Sequence, residues 1–216
     1  MKRKTLWLLG GGFLLSFAVW TLLVRLVDVQ AIGPQGSCVG FATLNGGFHA
    51  LTGVHMWLYT VTDWLGLVPI AVAFSFATLG LVQWIRRKRL GKVDRSLLVL
   101  GGFYIAVMAM YALFEYVEIN YRPVLINGYL ELSYPSSTTL LVLCVMPTAI
   151  LQLQHRIRHL VLRRLVVFSI LAFTAFTVIG RLLSGVHWLS DILGGALCSA
   201  GLVTMYHAAS DGDTFG

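Results

Sequence analysis

Six long apolar runs constrain this chain more than any other feature of its sequence. They cover residues 6–27, 56–85, 97–116, 138–153, 165–183 and 187–206. A helix needs about 20 apolar residues to cross a bilayer, a length that the shortest run, 138–153, reaches by extending into its polar flanks. Because only 12% of the 216 residues are charged, against about 25% in soluble domains, we predict an all-α polytopic membrane protein. About six transmembrane helices in one bundle would make residues 1–216 a single domain.

The cations lie in three clusters, at residues 2–4, 86–95 and 156–164, each outside the apolar runs. A net charge of +7 can indicate nucleic-acid binding, but clusters between apolar runs are typical of cytoplasmic loops. We therefore expect a bilayer and no nucleic acid as the partner, with both termini in the cytoplasm and an uncleaved first span. The outer loops are then 28–55, 117–137 and 184–186, and their lack of a disulfide framework suits a bacterial inner membrane.

Most of the remaining charged residues lie near these three outer loops. Ionisable groups close to a membrane span are costly unless they are paired or hydrated, so their collection on one side predicts a polar pocket there. Together with three histidines, the set is Arg25, Asp28, His49, His55, Asp63, Glu115, Glu118, Arg122, Glu131, Arg181, His187 and Asp191.

The third outer loop carries a histidine and an aspartate four residues apart. If the last helix begins near His187, then Asp191 lies one turn further on the same face. A carboxylate beside an imidazole fixes its tautomer and makes it a better nucleophile or base, and Arg181 offers a planar fork for a phosphate. The alternative is structural: Asp191 complements the helix dipole, His187 is interfacial and Arg181 extends to the membrane surface.

The second outer loop contains Arg122 and ends in a run of hydroxyl residues, Ser136, Ser137 and Thr138, before the fourth apolar run. Hydroxyls at a helix start cap its free N–H groups, and the same N–H groups form an anion site. The run is therefore either a plain helix cap or part of a phosphate cradle. Arg122 is either an interfacial anchor or a phosphate ligand.

In combination, these motifs resemble the type 2 phosphatidic acid phosphatase (lipid phosphate phosphatase) superfamily over about residues 115–191. The pattern of that family is Lys-x6-Arg-Pro, Pro-Ser-Gly-His and Ser-Arg-x5-His-x3-Asp. The matching residues are Arg122, Pro123, Pro135, Ser136, Arg181, His187 and Asp191.

The resemblance implies a role for each matching residue. Arg122 and Arg181 would bind phosphate oxygens, with Ser136 and its neighbours, Ser137 and Thr138, cradling them. His187 would be the nucleophile that becomes phosphohistidine, oriented by Asp191. The family uses no metal or organic cofactor, so the resemblance implies none here.

The chain departs from the family pattern at four positions. Glu115 stands where the family has its lysine, a change that repels phosphate instead of binding it. Gly180 replaces a serine and Ser137 replaces a glycine. Thr138 replaces the second histidine, which in the family protonates the leaving group, and threonine is no general acid near neutral pH.

Loss of the proton donor leaves two hypotheses. An alkoxide leaving from a monophosphate gains about 10²–10⁴-fold from general acid catalysis, whereas a phosphate leaving from a diphosphate is far less basic. Either the site prefers lipid diphosphates such as an isoprenyl diphosphate, or another group donates the proton. His49 and His55 are candidates, with Glu115 as a further auxiliary residue; alternatively, the histidines are interfacial. On a helix, Asp63 would share a face with His55.

The sequence thus predicts a metal-independent lipid phosphate or diphosphate phosphatase, acting through phosphohistidine on isoprenyl diphosphates or phosphatidic-acid-like lipids at the outer face. One alternative is a non-catalytic lipid-phosphate binder or transporter on the same scaffold, which the changes at Glu115 and Thr138 favour. Another is a lipid phosphotransferase, in which an alcohol replaces water. The oligomeric state does not follow from the sequence.

Overall fold

The computed structural model describes residues 2–210, and eight α-helices account for most of them. Two short 3-10 segments, Pro34–Gly36 and Leu90–Lys92, lie in the connections. Between residues 2 and 210 the only β pairing is three isolated bridges. The helices are α1 (Arg3–Leu26), α2 (Ala42–Thr52), α3 (Met56–Leu65), α4 (Leu67–Arg87), α5 (Arg95–Phe114), α6 (Ser137–Arg156), α7 (Leu160–Leu183) and α8 (Leu189–Ser210).

Six helical segments in the described range are long and apolar enough to cross a membrane. Five of them are single helices, and the sixth, Met56–Arg87, joins α3 and α4 through a turn at Gly66. Most of their residues are exposed on the outside of the bundle, where hydrocarbon replaces water as the solvent. The prediction of an all-α integral membrane protein with six transmembrane helices is confirmed.

The helix boundaries differ from the sequence prediction in three places. The first outer loop contains an additional helix, α2, which is too short to span a membrane. Helix α7 begins at Leu160, so Arg163 and Arg164 lie inside it and not in a loop. Helix α8 begins at Leu189, so His187 precedes it and the expected start near His187 was wrong by about one half-turn.

Helices α1 and α8 pack closely because each has a glycine at the contact. A Cβ atom on Gly10 would lie 2.7 Å from Met205 Cγ, and one on Gly201 would lie 2.7 Å from Leu14 Cδ2. Small residues let helix backbones approach in a membrane, where van der Waals contact replaces the hydrophobic effect between helices. The first and last spans are thereby held side by side, with the largely buried α6 packed on α8.

The three loops that were predicted to be outside meet at one end of the bundle. The Gly40 N–H donates to Asn120 Oδ1 at 3.2 Å, and the His55 N–H donates to the Ser184 carbonyl at 2.9 Å. At the opposite end, Asp94 pairs with Arg87 at 3.1 Å and with Arg156 at 3.8 Å. The orientation of these two ends in the membrane stays a prediction based on the basic clusters.

Candidate active site

His187 lies in the short loop between α7 and α8, where it is almost fully buried. Its Nδ1 is 3.2 Å from the Ser133 carbonyl oxygen, which accepts a hydrogen bond, so Nδ1 carries the proton. The lone pair is then on Nε2, the nitrogen that faces the cavity residues described below. Ring orientation and tautomer are therefore both fixed by the protein.

Two arginines from different parts of the chain converge on that lone pair. Arg122 Nη1 and Arg181 Nη2 each lie 3.2 Å from His187 Nε2 and donate to it. Burial, reinforced by these two positive charges, lowers the pKa of His187 well below the usual 6.5. The imidazole is therefore neutral, with its lone pair held by two groups that also bind phosphate oxygens.

Asp191 lies behind His187 with no solvent exposure. Its Oδ2 is 3.8 Å from His187 Nδ1, too far for a hydrogen bond, and it accepts the Trp188 N–H at 2.9 Å. Its Oδ1 accepts from Asn120 Nδ2 at 3.1 Å. Asp191 therefore acts on the imidazole through charge and caps the first turn of α8, which sets the direction in which the His187 loop enters the helix.

Asn120 and Asn45 connect this carboxylate to the first outer loop. Both are fully buried, and both donate to Ser190 Oγ, at 3.2 and 2.9 Å. Asn45 also accepts the Ser190 N–H at 3.1 Å and donates to the Gly40 carbonyl at 2.7 Å. The sequence analysis assigned no role to either asparagine, because an isolated asparagine has no characteristic spacing.

Tyr59 on α3 supports both arginines with one aromatic ring. The Arg181 Cζ atom lies 5.0 Å from the ring centroid and the Arg122 Cζ atom lies 5.9 Å from it, both within cation–π range. Asp63, one turn further along α3, pairs with Arg181 at 3.4 Å. Helix α3 therefore helps to orient both arginines, which no sequence motif had indicated.

A polar cavity of about 560 Å³ opens in front of these groups. Besides Arg122, Arg181 and His187, three carboxylates line it: Asp63, Glu115 and Glu131. Glu131 Oε2 is 3.0 Å from Arg122 Nε. Each arginine thus uses one nitrogen for a carboxylate and another for the imidazole: Arg122 pairs with Glu131 through Nε and contacts His187 through Nη1, and Arg181 pairs with Asp63 through Nη1 and contacts His187 through Nη2.

The three hydroxyl residues at the start of α6 do not share one environment. Ser137 lines the polar cavity, at the helix terminus where free N–H groups occur. Ser136 is fully buried, its N–H donates to the Asp191 carbonyl at 3.1 Å, and its hydroxyl accepts from Thr139. Thr138 lies outside the polar cavity, against the apolar cleft described below.

The histidines proposed as substitute proton donors lie elsewhere. His55 Nε2 contacts the Thr52 carbonyl at 2.9 Å, and its side chain is exposed outside the cavity wall. His49 Nε2 contacts the Gly185 carbonyl at 3.1 Å, behind the His187 loop. The structure does not bring either ring to the cavity, whereas Glu115 does line it.

An apolar cleft of about 640 Å³ adjoins the polar cavity. It runs between α4, α5 and α6, and its walls include Phe74, Val107, Met108 and Leu141. Asp63, Tyr111 and Ser137 belong to the walls of both spaces. A molecule with a polar head and a hydrocarbon tail can therefore occupy both at once.

In the part of the chain that the structure describes, no group of three or more His, Cys, Asp or Glu side chains is arranged to hold a metal.

Comparison with known proteins gave two matches. The sequence model of the PAP2 superfamily matches residues 115–213. The fold is similar to the crystal structure of a transmembrane PAP2-type phosphatidylglycerolphosphate phosphatase from Bacillus subtilis, with 18% identity and a TM-score of 0.57 over 96% of this chain and 98% of that one. No curated protein sequence matches the chain.

Proposed function

We propose that this chain is a member of the PAP2 superfamily, whose sequence model matches residues 115–213, and that it is a lipid phosphatase whose nucleophile is His187. The observation that carries the proposal is the pair of 3.2 Å contacts from Arg122 and Arg181 to a buried, neutral imidazole nitrogen. Two phosphate-binding groups and one nucleophile share a cavity, which is the arrangement that phosphoryl transfer requires.

Substrate binding would rearrange these contacts. The dianionic phosphoryl group is a better acceptor for guanidinium N–H groups than an imidazole is, so the Nη atoms of both arginines turn to its oxygens. That exchange releases the Nε2 lone pair at the moment when phosphorus arrives in front of it. Empty and occupied states of the site then use the same donors, and little reorganisation is needed.

The reaction proceeds in two displacements. Nε2 forms a bond to phosphorus as the bond from phosphorus to the leaving oxygen breaks, and that oxygen takes the electron pair. Water then attacks phosphorus, loses its proton to solvent or a nearby base, and the P–N bond electrons return to His187. The positive charge on the phosphorylated imidazole is stabilised by Asp191, 3.8 Å from Nδ1.

The apolar cleft next to the cavity supports a lipid as the substrate. A hydrocarbon tail in this cleft would leave its headgroup beside Ser137 and the two arginines. The proposed substrates are lipid monophosphates or diphosphates, of the phosphatidic acid or isoprenyl diphosphate kind, taken from the outer leaflet of a bacterial inner membrane. The reaction as proposed uses no metal ion.

The proposal is tested by phosphate release from lipid monophosphates and diphosphates with purified protein in detergent. His187→Ala should abolish release, whereas the matched variant His55→Ala, away from the cavity, should retain it. Acid-labile, base-stable phosphate on the wild-type protein would identify the phosphohistidine. Equal release by wild type and His187→Ala would contradict the proposal.

The same assay distinguishes the two alternative functions. A non-catalytic binder would retain lipid phosphate without releasing phosphate. A phosphotransferase would transfer the phosphoryl group to an added alcohol in preference to water.

A further inference from the structure

The leaving oxygen is the part of the reaction for which the groups above supply nothing. When a lipid monophosphate is cleaved, this oxygen becomes an alkoxide, which is strongly basic and needs a proton as the bond breaks. The two arginines and His187 act on the phosphoryl side of that bond. The leaving oxygen itself joins the headgroup to the hydrocarbon tail, so it must lie where the polar cavity meets the apolar cleft.

Three side chains belong to both walls at that junction: Asp63, Tyr111 and Ser137. Asp63 is paired with the Arg181 guanidinium at 3.4 Å, which makes it an acceptor in this arrangement and not a donor. Ser137 has an aliphatic hydroxyl, which is too weak an acid. Tyr111 has a phenol, a far stronger acid than an alcohol and therefore able to protonate an alkoxide.

Further contacts fit Tyr111 for this task. The carboxylate of Glu115, which directly follows α5 and is one turn after Tyr111, is close enough to interact with the Tyr111 hydroxyl, and both residues line the polar cavity. The Arg122 guanidinium is close enough to interact with the phenol through its charge. The phenol oxygen therefore has a carboxylate as well as a guanidinium near it, and the carboxylate, which is the stronger influence, favours the form that keeps its proton until a strongly basic alkoxide takes it.

We propose that Tyr111 protonates the leaving oxygen of a lipid monophosphate, and that Glu115 positions its hydroxyl; this inference rests on the proposed function. In the first displacement His187 Nε2 bonds to phosphorus, the P–O bond breaks, and the leaving oxygen takes the Tyr111 proton to form an alcohol. In the second, water attacks phosphorus and returns a proton to the Tyr111 oxygen, and the P–N bond electrons return to His187. The sum is one monophosphate and one water converted to one alcohol and one phosphate.

The test compares two substrates that differ in the basicity of the leaving oxygen. One is dodecyl phosphate, which releases an alkoxide unless it is protonated. The other is a nitrophenyl phosphate carrying a dodecyl tail, whose leaving phenolate needs no proton. Tyr111→Phe should lower kcat for dodecyl phosphate by about 100-fold and leave the nitrophenyl substrate within about threefold, because only the first substrate needs general acid catalysis.

Three further variants complete the comparison. Tyr116→Phe removes a hydroxyl from a neighbouring tyrosine that is 87% exposed, and it should leave both rates unchanged. Glu115→Gln keeps a hydrogen-bond acceptor and should retain most of the discrimination between substrates, whereas Glu115→Ala should lose part of it.

The result that would overturn the inference is a Tyr111→Phe variant with unchanged dodecyl phosphate hydrolysis, or with both substrates reduced equally. Failure of the proposed function gives a different pattern, because His187→Ala would then match the wild type on both substrates. A selective loss in Tyr111→Phe together with a complete loss in His187→Ala supports both proposals.

Discussion

At the scale of single residues, the lone pair on His187 Nε2 is the group on which the proposed chemistry depends. The imidazole ring is kept neutral by burial and by two guanidinium groups at 3.2 Å from Nε2. A base that must be neutral in order to attack loses activity only when the pH falls through its own pKa. Because the pKa of His187 is lowered, that loss is moved to more acidic pH.

We therefore expect kcat/KM to remain on its plateau as the pH decreases through 6.5, the ordinary pKa of histidine. The measurement is a pH–rate profile with a nitrophenyl phosphate lipid, for which leaving-group protonation does not matter. An acidic limb centred at or above 6.5 would show that the arginines and burial do not act on His187 as described.

Tyr59 provides a second prediction at this scale. Replacing it with leucine removes the ring under both arginines, and loss of a cation–π contact worth about 0.5–2 kcal/mol should raise KM by about 2- to 30-fold. Tyr59→Phe keeps the ring and should stay within about twofold of wild type. Steady-state kinetics of the two variants check this, and an equal effect of both would assign the role to the hydroxyl instead.

The sequence identified the residues that have motif spacing and missed those that support them. Arg122, Arg181 and His187 were expected to meet, and the structure brings them together. Tyr59 and Asn45 were missed because an aromatic or amide side chain beside an apolar run is indistinguishable from core packing or a polar loop. Their role depends on which side chains face them across the bundle, which local spacing does not encode.

At the scale of the helices, the contact between α1 and α8 depends on which positions are glycine and so have no side chain. A Cβ on Gly10 would lie 2.7 Å from Met205 Cγ and 3.2 Å from the Gly201 carbonyl, whereas a Cβ on Gly12 would meet nothing within 4 Å. In the sequence the two glycines are equivalent, since both occur in the same Gly-Gly-Gly run.

Gly10→Leu should therefore separate the first and last spans, while Gly12→Leu should be tolerated. Overpacking of this kind costs about 1–3 kcal/mol, which corresponds to a decrease of roughly 2–12 °C in the apparent unfolding midpoint of a protein of this size. Thermal unfolding in detergent measures the difference between the two variants. Equal midpoints would mean that the helices move apart without cost.

Helix existence followed from hydropathy, but helix ends did not. The shortest run, 138–153, was expected to extend into its polar flanks, and it is a 20-residue helix because Ser137 joins it on the N-terminal side and residues 154–156 join it on the C-terminal side. The start of α8 is set by the Trp188 N–H bond to Asp191, a capping contact that competes with the prediction of Asp191 as a simple partner of His187. The error at the start of α8 arises because a polar residue that caps a helix resembles a loop residue.

For the whole molecule, the main prediction is its orientation, and the chain contains a natural reporter. Cys38 is exposed at the same end as the active-site cavity, whereas Cys144 and Cys198 are buried. If the basic clusters face the cytoplasm, a membrane-impermeant maleimide added to intact cells should label the wild-type protein. Cys38→Ser should abolish this labelling, because no other thiol is accessible.

The matched control places a thiol at the opposite end. Arg89→Cys in the Cys38→Ser background should react only after the membrane is permeabilised, since Arg89 is exposed in the second basic cluster. If Arg89→Cys is labelled in intact cells and Cys38 of the wild-type protein is not, the orientation is the reverse of the predicted one.

The position of His187 and Asp191 at the last helix also determines when the site is complete during synthesis of the protein. His187 and Asp191 enter the membrane with the last helix, whereas Tyr59 and Asn45 are already there with the early ones. A chain still attached to the ribosome, with α7 inserted and α8 not yet in the membrane, therefore has Arg122 and Arg181 but lacks the positioned His187 and Asp191. Under the proposed mechanism, hydrolysis therefore begins only when the last helix is in place, and stalled or prematurely terminated products should be inactive toward the lipids around them.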